Sequence, residues 1–313
     1  MRSIGQTRFP VSALGQMAAT VLRDGGCGQV AALFDRSFYV VCNRDWVCIG
    51  TDALPMGPLN VRTRAPGTMS WPASGVRLDD RVLIAAGLFH VGGRFAFSYA
   101  DAASWRPPSV PVWTVDTLRS GLITCSRLAP DVPPGFPPGL AGPAASRAAS
   151  AIDTLSSEIV AEGRLSVRAA ASVSTLLGMG PGLTPSGDDF LGGMLIALHA
   201  LGLTARVAEL SDVISGCAPA RTNPISAAHL GAAAQGAGAE PLHQAINHLL
   251  AGRDRRIAAS QRQLDLIGHT SGKDALAGAV AVLRSWLGGC LDTQKRARIA
   301  VRAADVDRNA QGP

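Results

Sequence analysis

Thr184, Ser186, Gly187, Asp188 and Asp189 stand together in the string GPGLTPSGDD, and Thr270, Ser271, Gly272, Lys273 and Asp274 repeat most of it in GHTSGKD. Ser186, Gly187, Asp189, Leu191, Gly193 and Leu198 match Ser271, Gly272, Asp274, Leu276, Gly278 and Leu283 at one constant offset; Gly182 and Thr184 match Gly268 and Thr270 once Pro185 is treated as an insertion. Hydroxyls, glycines and a carboxylate ahead of an apolar run are the signature of a capped helix start, whose first N–H groups point outward with the positive end of the helix dipole. Two such starts side by side would hold a small anion. Gly182, Thr184, Ser186 and Gly187, with Thr270, Ser271 and Gly272, are therefore the candidate cradle.

Between the two strings, Arg221, Thr222 and Asn223 precede Pro224, which holds Asn223 extended at the opening of a further helix. Arg221 can grip phosphate or carboxylate through two N–H groups, and Asn223 can face the same opening. His269 stands just before Thr270 and Ser271, where an acid or an oxyanion donor would work. Asp188 has Lys273 as its counterpart, the one place where the repeat changes charge, and with His269 and Arg221 it completes the candidate catalytic set. The same residues also admit plainer readings. Asp189 and Asp274 sit where capping boxes place them, the repeat can be structural alone, Arg221 can be a surface arginine beside a capped loop, and the carboxylates can bind Mg²⁺. No cofactor is firmly implied.

These residues need rigid positioning. Four glycines and two prolines between Gly178 and Gly187 leave the backbone few conformations before the apolar run Phe190 to Leu201. From Ala144 onward the chain is rich in Ala and Leu at helical spacing, with helices expected over Ala144–Glu162, Val167–Leu177, Asp188–Leu201, Thr204–Ser215, Ser226–Gln235, Pro241–Leu250, Arg253–Leu266, Lys273–Leu287 and Asp292–Ala304. Before it, Gln29–Phe34, Ser37–Cys42, Trp46–Gly50, Val82–Ala86, Leu88–Val91 and Arg94–Ser98 read as strands, Gly92-Gly93 as a hairpin turn and Ser12–Leu22 as a short helix. The fold class is α+β: an antiparallel, barrel-like β-rich domain over 1–128, a Pro/Gly-rich linker over 129–143, a helical domain over 144–306 carrying the repeat, and a flexible tail over 307–313. The Gly57-Pro58-Leu59-Asn60 turn could border a site but reads first as a plain turn.

Composition narrows the function further. The 313 residues carry 29 Lys and Arg against 23 Asp and Glu, a formal charge of +6, with the bases scattered on helix faces and no aromatic residues among them. That pattern argues against a nucleic-acid partner and for a small anionic one. Six cysteines without a C-x-x-C pair read as reduced thiols of a cytoplasmic protein. The N-terminal residues lack the continuous apolar stretch of a secretory leader, and Phe190–Leu201 is too short to cross a bilayer, so no membrane is expected. No H-E-x-x-H, G-x-S-x-G or phosphate-binding G-x-x-x-x-G-K-[ST] is present.

The string GPGLTPSGDDFLGG, with the later GHTSGKDALAG, resembles the AllH-like proteins, linked to the oxamate carbamoyltransferase of anaerobic allantoin degradation. The resemblance is strongest over residues 175–283 and looser toward the N-terminus. It implies a subunit of a multi-protein carbamoyltransferase, a transferase of purine catabolism working with a succinyl-CoA-synthetase-like protein and another large subunit. The implied reaction passes a carbamoyl group between phosphate and an amide nitrogen, oxalurate and phosphate giving oxamate and carbamoyl phosphate. The implied ligands are then carbamoyl phosphate, phosphate or an oxamate-like anion. A non-catalytic subunit that docks partners or binds a regulatory anion is the alternative, with a Mg²⁺-dependent hydrolase behind it.

Overall fold

A computed structural model of the chain describes residues 6–128, 136–140 and 142–310, with residues 144 and 292–310 described at the level of the backbone. Nine strands come first: β1 (Thr7–Gly15), β2 (Gly26–Leu33), β3 (Ser37–Cys42), β4 (Asp45–Gly50), β5 (Asn60–Thr63), β6 (Arg81–Ala85), β7 (Leu88–Val91), β8 (Phe95–Ser98) and β9 (Ala103–Trp105), with α1 (Gln16–Asp24) after β1 and α2 (Trp71–Ser74) after β5. Helices follow: α3 (Val115–Leu128), α4 (Gly142–Glu158), α5 (Val167–Leu176), α6 (Ser186–Ala200), α7 (Thr204–Arg221), α8 (Pro224–Ala234), α9 (Glu240–Leu250), α10 (Asp254–Leu264) and α11 (Ser271–Ala310).

Eight strands close into a barrel in the order β5-β4-β3-β2-β6-β7-β8-β1, with β1 pairing back to β5 and β9 added beside β1. The antiparallel arrangement expected from the sequence holds for most seams, but β1 runs parallel to β8 and β4 parallel to β5. Inward and outward residues alternate, as in β6, where only Val82 and Ile84 are buried. Aromatic rings fill the interior: Trp71 lies 5.1 Å from Phe38 and 5.8 Å from Phe97, and its indole N–H donates to the Arg36 carbonyl. Gly92 and Gly93 both adopt positive φ, forming the expected hairpin turn.

Three local readings change. Ser12–Leu22 is the end of β1 and the start of α1 rather than one helix. Gly15 extends the strand because it packs where a Cβ would lie 2.0 Å from the Gly57 carbonyl oxygen. The Pro58 carbonyl accepts from the Met17 and Ala18 N–H groups, so the 57–60 turn caps α1. The helices expected over 273–287 and 292–304 are one, α11, since Gly288 and Gly289 weaken a helix without blocking it as proline does.

Buried residues fall into two clusters, one inside the barrel and one among the helices. The helical cluster takes in Leu118 and Leu122 of α3, a helix not among those expected from the spacing. Of the Pro/Gly-rich linker, 129–135 and 141 lie outside the described residues; Leu140 is buried against the helical cluster. Of the tail, 307–310 continue α11 and 311–313 lie outside the described residues.

At the centre of the helical part is α6, apolar on every side and buried nearly throughout, and α11 lies along it. Ser271–Leu291 is the one stretch among the described residues long and apolar enough to cross a membrane, and Leu276, Ala279, Val280, Val282 and Leu283 within it are buried in the helical core.

Candidate functional site

The two repeated strings meet. Glycine lets the helices that follow them approach at backbone distance: a Cβ on Gly193 would lie 1.8 Å from the Ala275 carbonyl oxygen, and one on Gly278 would lie 1.9 Å from that of Phe190. Those four residues are counterparts at the repeat offset, so the contact is the same one seen from both sides of a local two-fold axis. Gly187 and Gly272 are also counterparts, and each presses against the carbonyl of the helix before it, Leu176 and Leu264 respectively. The repeated unit is therefore a helix pair, α5–α6 matched by α10–α11.

At the axis the side chains cross over. Thr184 and Ser271 share a hydrogen bond of 2.8 Å. The carboxyl of Asp189 interacts with Ser271 and Thr184, while that of Asp274 interacts with Ser186 and Thr270, so each aspartate reaches one hydroxyl of its own repeat and one of the other. Asp274 is fully buried and its Oδ1 accepts from the Gly139 N–H at 2.8 Å. On both aspartates Oδ2 is shielded from solvent and takes no well-formed hydrogen bond among the described residues. Burial raises both carboxyls above the ordinary value, Asp189 strongly. The charge of Asp274 adds to the rise at Asp189, against the pull of the Ser271 and Thr184 hydroxyls.

Asp188 faces another way. Its Oδ1 accepts from the Gly178 N–H at 2.7 Å, and its Oδ2 accepts from Ser226 at 2.6 Å and from the Thr222 hydroxyl. It ties the glycine-rich loop to the junction of α7 and α8. Its counterpart Lys273 points outward to Asp265 at 2.7 Å. Asn223 caps α8 by accepting from the N–H groups of Ile225 and Ser226, and it donates to the Leu183 carbonyl at 2.7 Å. Arg221 is exposed; its carbonyl packs on Gly178, and its guanidinium has no hydrogen bond or ion pair among the described residues. His269 is exposed in the turn before α11.

The structure thus brings Thr184, Ser186, Thr270 and Ser271 together, and brings Asp188 and Asn223 to the adjacent junction. The N–H groups of Gly187 and Gly272 are used inside the fold, donating to Met179 at 2.8 Å and to Ile267 at 3.2 Å. Those of Gly182, Leu183 and Thr184, and of Gly268, His269 and Thr270, have no protein acceptor among the described residues. No three of His, Cys, Asp and Glu gather as metal ligands among the described residues.

Two further polar residues lie close by, and no sequence signal pointed to them. Tyr39 of β3 and His229 of α8 are joined by a hydrogen bond of 3.0 Å, with their rings edge to face, across 190 residues of chain. Burial pushes Tyr39 well above the usual phenol value, with Cys48 and Asp189 adding to the rise, and burial pulls His229 down to about 4. As whole residues, Tyr39 and His229 are half-buried.

Residues 176–283 match the family model described as oxamate carbamoyltransferase subunit AllH. The match begins at the end of α5 and ends inside α11, so it spans both repeated strings and leaves the barrel outside it. No solved structure matches the chain.

Proposed function

From a chain that is AllH-like over residues 176–283, we infer a subunit of a multi-subunit carbamoyltransferase of the oxamate type that binds a small anion where the two repeated loops meet. The observation carrying this is the set of N–H groups at 182–184 and 268–270 without acceptors among the described residues, on two loops joined by the Thr184–Ser271 hydrogen bond. N–H groups at paired helix starts favour phosphate or carboxylate, and the transfer requires donors on phosphate and on the carbonyl oxygen where charge collects. Arg221, exposed at the edge of the first loop and without a partner among the described residues, is the clamp for the anion. His269 lies at the mouth of the second loop, in reach of proton transfer. Asp188 positions the first loop through Gly178, Thr222 and Ser226 rather than meeting the ligand.

Partner subunits, including a succinyl-CoA-synthetase-like protein, supply the rest of the enzyme in this reading. Calorimetry of the chain, alone and with those subunits, tests it with phosphate and carbamoyl phosphate as ligands. Arg221→Ala should weaken binding by about tenfold or more, the loss of a charged hydrogen bond. Heat-silent titrations in both settings would refute the anion site. A second reading, in which the repeat is architecture and the chain docks partners without binding an anion, draws support from Asp188 and Asn223, whose bonds all run within the fold. Assembly without anion binding would favour it.

A further inference from the structure

Barrel and helices meet along a seam, and polar groups collect there that the loop site does not use. Tyr39 comes from β3, His229 from α8, and Asp189, on α6, is close enough for its charge to act on the Tyr39 hydroxyl. The pair is deeply packed, yet neither residue is wholly closed to solvent. Asp189 also keeps a carboxyl oxygen, shielded from solvent, without a well-formed hydrogen bond among the described residues, and such an orphan is costly unless a ligand completes it. Its other neighbours are the hydroxyls of Thr184 and Ser271, which border the loops described above.

We propose that Tyr39, His229 and Asp189 bind the amide end of the substrate, with its anionic end directed outward to the 182–184 and 268–270 loops and Arg221. The proposal rests on the carbamoyltransferase reading and assigns the orientation of the substrate within it. An amide presents one oxygen that accepts and one N–H edge that donates. With His229 donating from Nε2 to the Tyr39 oxygen, the Tyr39 proton is free for the ligand oxygen, and the Asp189 carboxyl is a partner for the N–H edge. Burial holds the Tyr39 proton on its oxygen and keeps the His229 ring neutral, pulling its value down to about 4. Uncharged donors in a partly dry seam suit a carbonyl that gains negative charge, and they leave the true anion to the loops.

The chain contains two tyrosines, and the second, Tyr99, donates to the Leu22 carbonyl at 3.0 Å within the barrel. Ring-carbon-labelled tyrosine therefore gives two NMR signals, assigned by Tyr39→Phe. Oxamate added to the chain, alone and in the assembled enzyme, should shift the Tyr39 signal saturably and leave that of Tyr99 in place. His229→Asn and Tyr39→Phe should each weaken oxamate binding by about tenfold, the cost of a lost ligand hydrogen bond, and leave phosphate binding unchanged. Phosphate binding with a stationary Tyr39 signal overturns this proposal and spares the anion site. A saturable Tyr39 shift without phosphate binding does the reverse, and silence in both titrations overturns both. Tyr39→Phe keeps the ring packing, so a folded Tyr39→Phe chain that binds oxamate as the native one does also overturns it.

Discussion

Asp188 and Asp189 are adjacent in sequence and opposite in character. Asp188 has three donors, and removing its carboxylate leaves the Gly178 N–H and two hydroxyls unpaired in a buried junction. Asp188→Ala should cost about 3 kcal/mol or more, in the range of a broken buried network, read as a lowered midpoint in denaturant. Asp189 and Asp274 have folded values above the ordinary carboxyl value, so the folded state holds their protons more tightly than the unfolded one. The stability they contribute is complete below the unfolded value near 3.8 and falls as pH rises through the folded values. Asp189→Asn and Asp274→Asn cannot ionise, so in scans from pH 4 to pH 8 their melting temperatures should gain on the native chain as pH rises above 4. A difference that stays flat over that range would mean that the pair is ionised throughout. The pairing of Ser186 with Ser271 and of Asp189 with Asp274 was readable from spacing, and so was the lone mismatch at Asp188 and Lys273. What the mismatch serves was not, because the partners of Asp188 lie up to 38 residues away, in a junction that only the folded chain assembles.

For the elements, periodicity sufficed where one face is buried, as in β3, β7 and most of the helices. It failed at β1, whose last residues read as helix, at β5 and β9, which are four and three residues long, and at α3, whose mixed composition hides its apolar face. The crossing of α6 and α11 depends on glycine rather than on apolar pattern. A methyl at Gly193 or Gly278 meets backbone carbonyls that cannot yield without moving a helix. Gly193→Ala and Gly278→Ala should each destabilise by about 2 kcal/mol or more despite alanine's better helix propensity. Thermal melts check this, with Gly231→Ala as the comparison: it also lies in a helix, and its Cβ would meet nothing.

For the molecule as a whole, sequence reading found the barrel and the helices, but contacts between them leave no local trace. The Tyr39–His229 pair joins residues whose neighbours in the chain say only strand and helix. His229 and His243 both have folded values pulled down to about 4 by burial, and the Nε2 of His243 accepts from the Gly238 N–H at 3.0 Å, which a protonated ring could not do. Groups so depressed contribute stability that is complete above 6.5 and lost as pH falls toward 4. The loss is at most about 3 kcal/mol for each. Unfolding followed from pH 7 to pH 4 should steepen below 6.5, and His243→Gln should flatten the profile in proportion.

The reciprocal glycine contacts bear on symmetry. A two-fold axis through one chain is the geometry that two identical chains adopt when they pair through the same patch. Within one chain the two halves need not be identical. Symmetric subunits would have to bury Asp188 on both sides or expose Lys273 on both, whereas the single chain turns one carboxylate inward to lock a loop and one ammonium outward to solvent.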